Sequence, residues 1–309
     1  MKPRTAFWVM AWLAGLAVAV HVLLPQLGEL GQTLDRFREG SWPWSVAATL
    51  ASAATYVAGG LGIIVAAGVR LPLLGATMAQ LAAGAASVLT PEGLGAVAVG
   101  GRWLEKKGID PPRATATLTA SMVVALVTHI GLMIVLAALL RSLVLPKIEP
   151  GTVLVVAEVV VAALVVAGIV LWLVPGVRRK VLAEALPMLR SIPAVFSQPG
   201  RAAGMIGAAV LVNLLYVAAL LASLAAFGGR APIAGVAFAY LTAVLVGTIS
   251  PTPGGLGAFE AALAAGLTRL GVEAGTAIAA SLSFRLVTFW LPLPIGAWAW
   301  ETLRRRGDL

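Results

Sequence analysis

Apolar residues run through this chain in long blocks, without the apolar–polar alternation of a half-buried strand. A helix needs about 20 residues to cross roughly 30 Å of hydrocarbon. Six blocks are long enough: 6–24, 44–69, 113–140, 152–174, 202–227 and 274–300. Two more polar connectors, 25–41 and 175–200, are amphipathic and read as interfacial helices. Trp8, Trp12, Trp42, Trp44, Trp103, Trp172, Trp298 and Trp300 fall near the predicted helix ends, as an aromatic belt would.

Two further apolar regions, 71–89 and 233–250, each run into a Pro/Gly cluster and then a second apolar piece. The second pieces, 94–104 and 256–270, reach only about 17 and 23 Å as helices, short of the full thickness. The expectation is two re-entrant helical hairpins, 71–104 and 233–270. Irregular backbone at that depth is tolerated only inside protein or against a wet cavity.

The hairpins are copies of one another. Thr90-Pro91-Glu92-Gly93-Leu94-Gly95-Ala96 matches Thr252-Pro253-Gly254-Gly255-Leu256-Gly257-Ala258 at six of seven positions, and Gly108-Ile109-Asp110 echoes Gly271-Val272-Glu273. The wider order also repeats, which divides the chain into two membrane repeats, 1–148 and 149–309. Each half crosses the bilayer an odd number of times whether or not its hairpin crosses, so the halves are inverted. The expected fold is all-α and polytopic: two inverted repeats, six spanning helices, two re-entrant hairpins and two interfacial helices.

Charge sets the orientation. With the N-terminus in the cytoplasm, fifteen Lys and Arg residues fall inside and six outside, with Arg285 left within a helix. The expected location is the cell (inner) membrane, multi-pass, with both termini cytoplasmic. Composition agrees: 60% of residues are hydrophobic and 11% charged. The net charge of +9 reads as a surface for anionic lipid heads at the cytoplasmic face, not for nucleic acid. The absence of cysteine excludes disulfides, thiolate catalysis and cysteine-ligated metals. Only His21 and His129 remain as histidines, so no metal site and no cofactor is expected.

Candidate chemistry lies at the breaks. A broken helix offers free N–H groups at the start of its second arm, and these with the helix dipole favour an anion such as phosphate. The alternative is a tight turn closing a hairpin; two matching clusters facing one another from opposite leaflets favour a site. The candidate binding residues are Pro91, Glu92, Gly93 and Gly95 in the first hairpin and Pro253, Gly254, Gly255, Gly257 and Glu260 in the second. Ionisable groups at membrane depth are costly and are functional candidates. Arg285 lies about 16 Å below the outer surface and Glu260 about 15 Å. The matching depths predict that they pair or share a ligand; a structural salt bridge holding the hairpin is the equal alternative. Glu92 and Glu260 are the carboxylates that could be proton-linked, although Glu92 could also be a solvated group in a vestibule. Glu158 reads as a snorkelling group. His129 reads as a satisfied interhelical residue, Asn213 as interhelical glue, and Gly59-Gly60-Leu61-Gly62 as a packing stretch.

The stretch Ser250-Pro251-Thr252-Pro253-Gly254-Gly255-Leu256-Gly257-Ala258-Phe259-Glu260 resembles the signature of the lysylphosphatidylglycerol synthase transmembrane family, also called the flippase-like domain family. The match includes the Pro-Gly-Gly-x-Gly core and the glutamate that follows. It carries over most directly onto Pro253, Gly254, Gly255, Gly257 and Glu260; Arg285 rests on depth alone. In the family's namesake this membrane domain precedes a soluble aminoacyl-transferase domain. The present sequence ends at Leu309, so the expectation is a stand-alone member without lysyl transfer.

The resemblance implies a lipid flippase-like protein, and the inverted halves supply alternating access. The expected activity is movement of an anionic phospholipid or a polyprenyl-phosphate-linked lipid between leaflets, with membrane lipid as the substrate and no catalytic residues. The lack of a P-loop argues against direct use of ATP. Two alternatives stay open: an integral-membrane lipid-phosphate enzyme, and a non-transporting membrane partner of a lipid synthase. A homo-oligomer is equally open.

Overall fold

The computed structural model describes residues 40–89, 94–143, 198–250 and 252–309, together with residue 176. These residues are helical apart from short links, and among them there is no strand. The chain is an all-α polytopic membrane protein.

Four helices among the described residues are long and apolar enough to cross a membrane. The first, α1, spans Trp42–Ala67. Its first turn contains Pro43, whose missing N–H costs nothing there, and it stops at Gly68 in the left-handed conformation. Helices α2, Leu73–Leu89, and α3, Leu94–Lys106, form the first hairpin. Then α4 spans Pro111–Leu143 and α5 spans Pro199–Ala226. The second hairpin is α6, Ile233–Ile249, a 3₁₀ turn at Pro253–Gly255, and α7, Ala258–Arg269. The last crossing is composite: α8, Ala274–Arg285, a π-helical segment, Leu286–Trp290, and α9, Pro292–Arg305. Four of the six spans expected from the sequence are therefore present. The spans 6–24 and 152–174, and all but the edges of the connectors 25–41 and 175–200, lie outside the described residues.

The matching links after the two hairpins are built alike. Gly108 and Gly271 take positive φ of 83° and 88°. The N–H groups of Ile109 and Val272 reach back to the Leu104 and Leu267 carbonyls at 3.1 and 3.2 Å. Asp110 and Glu273 then cap the next helix through backbone N–H groups of its first turn.

The feet of each hairpin share one end of the bundle. At the first hairpin, a Cβ on Gly75 would lie 3.2 Å from the Trp103 ring. At the second, a Cβ on Gly235 would lie 2.6 Å from Leu270. The foot of the first stands at a basic end. There Arg113 donates to the Ala67 carbonyl at 3.2 Å, Arg201 lies beside Gly68, and Lys107 pairs with Asp308 at 2.7 Å. Arg304, Arg305 and Arg306 close the same end. The foot of the second stands at the opposite end, where the Ser41 N–H donates to the Ala226 carbonyl at 2.8 Å and Gly229 packs on Thr276. Helix α2 packs beside the Pro253–Gly255 turn.

Small residues let the helices approach until side chains no longer separate them, as in membrane bundles generally. A Cβ on Gly60 would stand 3.0 Å from the Thr77 amide nitrogen of α2. The Gly59–Gly62 stretch is a packing surface, as expected. Two expectations are corrected. Trp103 belongs to no belt: it is fully buried in the core of the first hairpin, with Leu104 and Leu303, because the foot of α3 turns inward against Gly75. Among the described residues Asn213 makes no bond to another helix: its Nδ2 donates to the Ala209 carbonyl one turn back in α5 at 2.9 Å. His129 behaves as expected, with Nε2 3.1 Å from the Leu241 carbonyl, joining α4 to α6.

Candidate functional site

The second hairpin breaks where its sequence stops supporting a helix. Gly254, Gly255 and Gly257 all take positive φ, at 61°, 66° and 82°. Gly255 has a second constraint: a Cβ there would lie 2.7 Å from the Gly247 Cα and carbonyl oxygen. Only glycine meets both demands, so the tip folds flat against the end of α6. Thr252 ties the loop, donating to the Leu256 carbonyl at 3.0 Å and meeting Ser250 Oγ at 2.8 Å.

Beyond the tip α7 begins, and its third residue, Glu260, turns back on it. Glu260 Oε2 accepts from the Gly257 N–H at 2.7 Å. The end of the tip and the start of α7 are thereby held around one carboxylate. The sequence suggested that N–H groups at this break would be free for an external anion. At Gly257 that place is taken by the chain's own carboxylate, since a glutamate three residues into a helix reaches its cap.

Arg285, the last residue of α8, completes the cluster. Its Nε donates to Glu260 Oε1 at 2.5 Å, and its Nη2 donates to the exposed Gly254 carbonyl at 2.6 Å. Both side chains are buried, at 11% and 9% exposure. The guanidinium lies over the rings of Phe259 and Phe289, at 4.7 and 4.3 Å from their centroids. Among the described residues Nη1 has no acceptor. The pairing predicted from matching depths is therefore present, some 16 Å along the last crossing from its start.

The helix widens immediately after Arg285. Leu291 N–H donates to the Leu286 carbonyl at 2.8 Å, a bond five residues back rather than four. The cause is Pro292, which brings no N–H and whose ring cannot follow a regular α turn. The Val287 carbonyl loses its helical donor, and Ser52 Oγ of α1 supplies one at 2.7 Å. Widening places Phe289 against the tip: a Cβ on Gly254 would lie 2.6 Å from its ring. Beside this segment is a cavity of about 270 Å³ lined by Ser45, Thr49, Ser283, Leu286, Val287 and Leu291 among others. Of its lining residues, Leu286 and Leu291 are exposed.

The other expected site residues divide. Pro253, Gly254, Gly255, Gly257, Glu260 and Arg285 gather at one place. Gly95 is buried in the first turn of α3. Pro91, Glu92 and Gly93 lie outside the described residues, as does Glu158. Sequence reasoning passed over Phe259, Phe289 and Ser52; Pro292 and Pro294 inside an apolar run were the available signal for the widened turn. Among the described residues no group of His, Asp or Glu is arranged to hold a metal ion.

The geometry can neutralise an arginine deep in the bundle and hold it at a helix break through the Gly254 carbonyl. Comparison with protein families places it in context. Residues 11–296 match the model of the lysylphosphatidylglycerol synthase TM region, and the chain belongs to that family. No curated protein matches the chain.

Proposed function

We propose that this protein carries an anionic phospholipid or a polyprenyl-phosphate-linked lipid from one leaflet to the other, binding the head group at the broken helix while the tails stay in lipid. The observation that carries the reading is the Arg285–Glu260 pair, closed onto Gly254 and Gly257 and buried at mid-depth. Such a group is expensive in hydrocarbon and is a functional candidate by default. A phosphate oxygen can accept from Nη1, which has no acceptor among the described residues, while Nε and the Gly257 N–H stay on Glu260, which orients the guanidinium. A proton taken by Glu260 would release the guanidinium, and Glu92 of the first hairpin is the second carboxylate able to couple in this way.

On this reading the hairpins are re-entrant and the halves, 1–148 and 149–309, are inverted repeats. The tips meet near the midplane, and alternating access rocks one half against the other. The arms support it, since α7 has only 12 residues, about 18 Å of helix. The basic end faces the cytoplasm of the inner membrane and holds both termini. The cluster of arginine, glutamate and backbone groups suits binding rather than bond cleavage, so the protein is a carrier and not an enzyme.

The test is reconstitution of the purified protein in liposomes carrying tail-labelled fluorescent phosphatidylglycerol, read by loss of protection from a membrane-impermeant quencher. Faster exposure of inner-leaflet lipid than in empty liposomes supports the reading. Exposure at the empty-liposome rate overturns it. Release of inorganic phosphate from lipid phosphates would instead mark an enzyme.

A further inference from the structure

The chain has three tyrosines, and Tyr216 and Tyr240, on helices distant in sequence, meet within the bundle. Tyrosine in a membrane protein ordinarily sits at the interface, where the exposed Trp42, Trp44, Trp298 and Trp300 are found here. Tyr56, Tyr216 and Tyr240 instead lie about 10 to 21 Å along their helices from the less basic end, well inside the span. Tyr216 stacks on Tyr240 with centroids 5.7 Å apart, and both meet Phe284 edge-on, at 6.3 and 6.0 Å. Phe284 stacks on Phe259 at 6.0 Å, and Phe259 lies under the Arg285 guanidinium. Tyr56 and Tyr216 are within electrostatic range of one another, and Tyr216 is within range of Arg285. On its other side Tyr56 reaches Gly84 of the first hairpin. The three phenols thus run from the first hairpin to the second.

A phenol at such depth usually has a partner. Thr55, which donates to the Ser52 carbonyl at 2.6 Å, lies beside the Tyr216 phenol. Tyr56 and Tyr240 have no hydrogen-bond partner among the described residues, and Tyr56 and Tyr216 are only partly buried. Each free phenol can donate and accept once placed against a hydroxyl group. The pair beside them carries no net charge, because Glu260 cancels Arg285. Selection here runs through hydrogen bonds to neutral groups rather than through charge.

We infer that Tyr56 and Tyr216, backed by the buried Tyr240, form the recognition surface for the part of the head group beyond the phosphate, and that this part is hydroxyl-rich, a polyol or a sugar, rather than an amine. An ammonium would find Glu260 already engaged by Arg285 and Gly257, and would stand close to a guanidinium. This inference rests on the reading of the bundle centre as a head-group site.

The experiment is native mass spectrometry of the full chain with added phosphatidylinositol, phosphatidylglycerol and phosphatidylethanolamine. The wild type is expected to retain the two hydroxylated lipids in preference to phosphatidylethanolamine. The variant Tyr56→Phe/Tyr216→Phe/Tyr240→Phe keeps the rings and loses the hydroxyls. It is expected to lose that preference by about tenfold, the scale of one or two hydrogen bonds. A preference unchanged in the variant, or equal retention of all three lipids by the wild type, overturns the inference. The variant Arg285→Met/Glu260→Leu separates it from the reading beneath. If that variant holds every lipid as the wild type does, the head-group site itself is wrong. If it loses them while the phenylalanine variant keeps the wild-type preference, only the assignment to the tyrosines falls.

Discussion

Ser52 donates its hydroxyl to the backbone carbonyl of Val287, 2.7 Å away and 235 positions along the chain. The bond exists because Pro292 deprives that carbonyl of a helical partner, and lipid offers no substitute. It ties α1 to the widened turn that carries Phe289 to the hairpin tip. Ser52→Ala leaves a buried acceptor without a donor and is expected to cost about 1–3 kcal/mol. Thermal unfolding in detergent should show the loss, and Ser45→Ala, at a partly buried site, should not.

The Arg285–Glu260 pair should behave as a buried ion pair does. Glu260→Ala leaves a charged guanidinium without its carboxylate and is expected to destabilise the protein by roughly 3–5 kcal/mol. Replacing both partners by apolar residues of similar size, Arg285→Met/Glu260→Leu, should recover most of that loss. The check is a double-mutant cycle of unfolding midpoints. An interaction energy near zero would mean that the two residues are independent.

The tip tolerates no side chain at Gly255. Alanine there meets the Gly247 backbone as well as an unfavourable φ, whereas Gly271→Ala has a positive φ of 88° but nothing within 4 Å. Gly271→Ala should cost about 1–2 kcal/mol. Gly255→Ala should cost more than that and should also impair lipid movement, because it displaces the Gly254 carbonyl that Arg285 holds. Equal effects of the two substitutions on stability would remove the close approach from the explanation.

What could be read in the sequence is what depends on distance along one element. Block length gave α1, α4, α5 and the last crossing to within a few residues, and helical rise placed Glu260 and Arg285 at one depth. The echo of Gly108-Ile109-Asp110 in Gly271-Val272-Glu273 proved to be one capping geometry used twice. Lateral neighbours were not legible. Nothing along α5 or α6 signals that Tyr216 and Tyr240 meet, and Trp103 looks like any residue at a helix end until Gly75 admits its ring. Asn213 could bond a neighbour or its own helix, and periodicity does not choose. The widened turn was signalled by Pro292, but the partner that rescues Val287 was not.

Orientation can be checked at the two ends of the bundle. If the basic end is cytoplasmic, a phosphatase reporter fused after Leu309 should be inactive, and one fused in the link at Gly229 should be active. A fluorescent protein should give the reverse pattern. Activity of the phosphatase at Leu309 would place the basic end outside.

The central claim is that the buried pair at the broken helix handles the lipid head group rather than merely bracing the hairpin. Lipid translocation by the Arg285→Met/Glu260→Leu protein in liposomes tests it most directly, because that protein should remain folded. The account predicts an unfolding midpoint close to the wild type and translocation reduced to the empty-liposome rate. A folded double variant that moves lipid as fast as the wild type would contradict it.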